Sequence, residues 1–127
     1  HKLNPKDSIE KGVAHKVIDT ISIDPVAYEE LDFIVKKLRR HNIQVIGYYS
    51  PVPYGIYQLD KTAYQDFEKR ISALFKNNDV LLNLNEEKYR PINSDYEMFI
   101  DHGHLSHKGQ SFVLQQLDSI LNVLYKK

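Results

Sequence analysis

Apolar residues along the chain recur at helical spacing in three places and crowd into short runs in two. Tyr28, Leu31, Ile34, Val35 and Leu38 fall three and four apart, which predicts an amphipathic helix over about 25–41. Asp24-Pro25 marks its start, with the aspartate as N-cap and the proline at the first helical position, where no N–H is needed. Tyr64, Phe67, Ile71, Leu74 and Phe75 predict a second helix over about 61–77. Val113, Leu117, Ile120, Leu121 and Leu124 predict a third, over about 106–125. Positions 43–49 and 80–84 are apolar without helical spacing and read as buried strands. Val17, Ile21 and Ile23 alternate with polar neighbours, so 16–23 reads as a further strand.

Between these elements the pattern breaks. The polar stretch 1–12 reads as irregular. Ser50-Pro51-Val52-Pro53-Tyr54-Gly55 ends the first strand, because two prolines remove ladder donors. Positions 85–104 form a long polar connection, a length that suggests either function or disorder. Helices alternating with strands predict a single α/β unit over 1–127 with a parallel sheet. Two or three short strands are few for three long helices. Further strands are therefore expected from chain upstream, from a partner chain or from the N-terminal stretch.

Composition narrows the class. The 127 residues are 42% hydrophobic and 27% charged, a globular balance in the size range of one domain. Seventeen basic residues balance seventeen acidic ones, which argues against a nucleic-acid partner. Lys36, Lys37, Arg39 and Arg40 follow Glu29, Glu30 and Asp32, the pattern of a solvated helix face. Without cysteine there can be no disulfide, thiolate metal site or cysteine nucleophile. No apolar run approaches the roughly 18 residues that span a bilayer, and no stretch reads as a signal peptide. The chain starts at His1 and its single methionine is Met98, so it is expected to be a processed or excised piece.

Chemistry concentrates just before the last helix. Three of the six histidines, His102, His104 and His107, lie within six residues beside Asp101. Histidine titrates near neutrality and is the commonest general base. A three-residue separation across Gly103 can bring the Asp101 carboxylate to Nδ1 of His104, fixing the tautomer and leaving Nε2 as the base. Ser106 is a plausible N-cap for the final helix, and Gly109 lets its first turn approach neighbouring backbone. His15 and His41 have no such context; His41 suits a helix C-terminus.

Asp101-x-x-His104-Leu105-Ser106-x-x-Gly109 followed by a terminal amphipathic helix resembles the last block of the SGNH (GDSL-like) hydrolase superfamily. The resemblance covers about residues 25–125. It implies a flavodoxin-like three-layer parallel sheet, of which this chain is the C-terminal part. It further implies that Asp101 and His104 are the acid and base of a Ser-His-Asp triad, with no cofactor or metal. The Pro-rich loop 50–54 resembles the branch that transfers acyl groups on cell-envelope polymers. The implied substrate is an acylated carbohydrate or envelope polymer, and the implied location is extracytoplasmic or in the envelope. Tyr48, Tyr49, Tyr54 and Tyr57 would suit a carbohydrate-facing wall, though aromatics on a strand and loop also serve as core.

The departures are specific. The superfamily's Gly-Asp-Ser block is missing: Asp7-Ser8 keeps two letters, but Lys6 replaces the glycine and no apolar strand precedes it. Ser8 therefore reads as a surface serine, and the nucleophile is expected outside this chain. The Gly-x-Asn-Asp block, which supplies an oxyanion asparagine, is also missing. Two other readings use the same residues. His102-x-His104-x-Ser106-His107 approximates the metal signature of metallo-β-lactamase-like hydrolases, with Ser106 where a carboxylate belongs and Asp118 the sole acid downstream. The chain could also be a binding or assembly module whose hydrolase-like site has lapsed.

Overall fold

The computed structural model describes residues 4–16, 21–76 and 78–126. Its elements run α1 (Pro5–Ala14), α2 (Pro25–Arg40), β1 (Ile46–Tyr49), α3 (Tyr54–Leu59), α4 (Lys61–Ser72), β2 (Val80–Asn83), α5 (Arg90–Asn93) and α6 (His107–Leu124). Two 3₁₀ turns, Glu87–Tyr89 and Tyr96–Met98, flank α5. The described residues are 61% helical, and β1 and β2 form a two-stranded parallel sheet. Ile46 pairs with Val80 and Tyr49 with Asn83.

The expected flavodoxin-like three-layer parallel sheet is therefore overturned. Each strand is only four residues long: Pro51 and Pro53 follow one, and a turn at Leu84 and Asn85 follows the other. The strand expected over 16–23 is not formed where it can be seen. Lys16 is in a turn, Ile21–Ile23 lack strand structure, and 17–20 lie outside the described residues.

Two stretches read as irregular are folded. Asn4-Pro5 starts α1 as Asp24-Pro25 starts α2: the Asn4 side chain accepts from the Asp7 N–H at 2.8 Å. The long connection 85–104 carries two 3₁₀ turns and α5, because Ile92, Met98 and Phe99 supply apolar anchors and Asn93 is buried among them. The helices predicted over 25–41 and 106–125 form close to those bounds, whereas the one predicted over 61–77 ends at Ser72, before Leu74 and Phe75.

The main core lies beyond the carboxyl end of the strands. Ile9 of α1, Ile56 of α3, Met98 and Phe99 cluster there, and Val13, Leu105 and Phe112 pack around them. This core holds the loop carrying Asp101 and His104 against α1. The apolar stripe of α6 is only partly used: Val113 is buried, whereas Leu121 and Leu124 are exposed. Among the described residues, no helix is long and apolar enough to cross a membrane.

One ion pair ties α2 to the approach to β2. Arg39 Nε and Nη2 both donate to Oδ2 of Asp79, which also accepts from the Lys76 N–H at 2.9 Å. The Asp79 side chain is 5% exposed. Burial pushes its carboxyl up, but Arg39 and the Lys76 amide outweigh burial and hold it below the usual carboxylate range. A depressed native pKa stabilises the fold above the unfolded value of about 3.9, and this contribution is lost as pH falls through the native value. Asp79→Ala should therefore lower stability by about 2 kcal/mol at pH 7. In urea titrations, the variant and the wild type should converge as the medium becomes acid.

Candidate active site

The site is a closed loop at the start of α6. Phe99, 1% exposed, anchors one side and bridges antiparallel to Leu105. The Ile100 N–H donates to the His104 carbonyl at 2.8 Å, and the Ser106 N–H donates to the Met98 carbonyl at 3.0 Å. Ser106 is the N-cap of α6. Its hydroxyl accepts from the Gly109 N–H at 3.2 Å and donates to the Glu97 carbonyl. Lys108 adds a contact with Asp95 at 2.7 Å and one with Glu97 at 3.3 Å. The loop is thus closed by backbone at its neck and capped at its exit.

Within that loop the Asp101 carboxylate meets the His104 ring. Both carboxylate oxygens lie 2.9 Å from Nδ1, and Oδ1 also accepts from the Gly103 N–H at 2.7 Å. Partial burial pushes the Asp101 carboxyl up. The Gly103 amide and the His104 ring together outweigh this and hold it below the usual carboxylate range. Asp101, held as a carboxylate, can only accept, so Nδ1 carries a proton, and in the neutral form of the ring Nε2 is the nitrogen with the lone pair. The His104 side chain is 76% exposed, and its Nε2 has no partner among the described residues. The pair is a base with a fixed tautomer, open to whatever approaches from solvent.

The other histidines go elsewhere. His102 turns toward α1: its N–H donates to Ser8 Oγ at 3.3 Å, and its Nδ1 lies 3.5 Å from the same oxygen. Gly12, one turn along α1, makes room for it, since a Cβ there would sit 3.4 Å from His102 Cβ and 3.1 Å from Ile56 Cδ1. Ser8 therefore meets His102 rather than His104, and its hydroxyl joins helix to loop. His107 is exposed in the first turn of α6. Among the described residues, no group of three or more histidines and carboxylates is placed to hold a metal ion, so the trio His102, His104 and His107 does not form a centre.

Three of the four tyrosines considered for a carbohydrate wall have other contacts. Tyr57 is buried, stacks on Tyr64 at 4.6 Å and donates to Glu68 Oε1 at 2.8 Å. Tyr49 donates to the Glu68 carbonyl at 2.6 Å, and Tyr54 lies under the Arg90 guanidinium at 4.6 Å. Tyr48 is 45% exposed. The buried carboxylate of Glu68 is the group that reading the sequence missed. Its signal was there: Tyr64, Glu68, Ile71 and Phe75 share one helical stripe, so the acid stands on the apolar face of α4.

No protein-family model matches the chain, and searches of curated proteins and of solved structures find no similar one. The functional reading therefore rests on the residues themselves.

Proposed function

We propose that this chain supplies the His104 base and the Asp101 orienter of a serine esterase or O-acyltransferase of the SGNH type. The nucleophile would lie outside the chain, and the substrate would be an acylated carbohydrate or envelope polymer. The observation that carries the reading is the pairing of both Asp101 oxygens with Nδ1 of His104, which leaves Nε2 open. Ser8 is set aside as the nucleophile because its hydroxyl serves His102.

In the proposed cycle, Nε2 of His104 takes the serine hydroxyl proton as the oxygen attacks the ester carbonyl. The imidazolium then returns that proton to the leaving alkoxide, giving an acyl-enzyme and a free hydroxyl. A water or sugar hydroxyl repeats the sequence in the second half, its proton passing through His104 to the serine oxygen. Asp101 remains ionised throughout and balances the imidazolium charge. An acyl-transfer step also needs oxyanion donors, which in this reading come with the nucleophile-bearing segment.

The test is hydrolysis of p-nitrophenyl acetate and of an O-acetylated oligosaccharide. This chain alone should be no faster than free imidazole at equal concentration, whereas the full-length gene product should turn both over. Turnover by the chain alone that His104→Ala abolishes would contradict the missing nucleophile. Turnover by the full-length product that His104→Ala leaves unchanged would contradict the reading itself, and no turnover by the full-length product would favour a lapsed site.

A further inference from the structure

A second feature lies on the α4 side of the sheet, apart from the loop just described. An open cavity of about 630 Å³ runs between the sheet, α4 and the start of α2, a size suited to a small molecule. Its walls include Tyr49, Tyr64, Phe67 and Phe75. Glu68 lines it as well, although the residue is only 9% exposed.

Among the described residues, the Glu68 carboxyl group has only neutral partners. Oε1 accepts from the Tyr57 hydroxyl at 2.8 Å and Oε2 from Asn83 Nδ2 at 2.7 Å. Among the described residues, no lysine, arginine or histidine lines the cavity and no cation pairs with Glu68. A carboxylate withdrawn from water favours a counter-charge. Burial and the adjacent Glu68 together push the Tyr57 phenol well above its ordinary value, so this hydroxyl stays a neutral donor.

Aromatic faces add negative potential of their own and attract organic cations, a lysine-like ammonium included. A hard metal ion is poorly served here, since it needs several oxygen ligands and both carboxylate oxygens already accept a hydrogen bond. A neutral polyol would leave the carboxylate without a counter-charge. We infer that the cavity binds a small aliphatic ammonium compound, with Glu68 as counter-ion, Tyr49 and Tyr64 beside the cationic head, and Phe67 and Ile71 against its alkyl body. The inference is independent of the proposed acyl-transfer chemistry.

The probe is n-butylammonium chloride, titrated into this chain while thermal unfolding is followed, with n-butanol and potassium chloride as controls. Butylammonium should raise Tm saturably and the controls should not. Glu68→Gln, which keeps the side-chain shape, should weaken butylammonium binding by about tenfold or more. Phe67→Ala, at a half-buried position on the cavity wall, should weaken it a few-fold, and His104→Ala should leave it unchanged. Equal responses to butanol and butylammonium, no saturable response to butylammonium, or full affinity in folded Glu68→Gln would each overturn the inference. If Glu68→Gln does not fold, the comparison of butylammonium with butanol and the Phe67→Ala variant decide it.

Discussion

Gly109→Ala is expected to cost more than about 3 kcal/mol, the largest single loss of stability outside the main apolar cluster. A Cβ at this position would be driven into the Met98 carbonyl oxygen and would stand 3.0 Å from Leu105 Cδ2. The carbonyl cannot easily withdraw, because it accepts the Ser106 N–H at 3.0 Å and so closes the neck of the loop. Alanine's better helix propensity returns at most about 1 kcal/mol, too little to offset the overlap. Gly103→Ala is the matched control: its Cβ would meet only Asp101 Oδ1, at 3.8 Å, so its stability should change by less than about 0.5 kcal/mol. Urea unfolding of both variants checks the pair. Equal stability would show that α6 does not rest on the turn Tyr96–Met98 as described.

The second large effect concerns activity. In the full-length gene product, His104→Ala and Asp101→Asn should each lower kcat by about three to four orders of magnitude. For His104→Ala the cause is loss of the base, and the exposure of that side chain means that the fold should be retained. For Asp101→Asn the cause is the tautomer. An amide can present an N–H to Nδ1, which moves the ring proton to Nε2 and removes the lone pair that should accept the serine proton. Far-UV circular dichroism separates these variants from unfolding, and Gly103→Ala should remain active. A loss of less than tenfold in either variant would contradict the roles assigned to the two residues.

What could be read in advance follows from the range of the interactions. Helices α2, α4 and α6 were legible because spacing and capping are local. Asp24 Oδ1 does accept from the Val26 and Ala27 amides, at 2.8 and 3.1 Å. The Asp101–His104 contact was legible for the same reason, being closed within three residues. α1 carries the same start signal as α2 in Asn4-Pro5, but Ile9 and Val13 make too short an apolar stripe to stand out from its polar surroundings. The sheet was not legible. Alternation of helices and strands implies parallel pairing but says nothing of how many strands pair, and only β1 and β2 do so among the described residues. The contact of Ser8 with His102 spans 94 positions and could be found only in three dimensions.

The central claim is that Asp101 holds His104 with its proton on Nδ1 and its lone pair on Nε2. The most direct measurement is the pair of ¹⁵N ring shifts of His104 in a two-bond ¹H–¹⁵N correlation spectrum, recorded at a pH where the ring is neutral. A protonated Nδ1 beside an unprotonated Nε2, reversed in Asp101→Asn, is the predicted result. A proton on Nε2, or shifts averaged as in free histidine and unaltered by Asp101→Asn, would contradict the account.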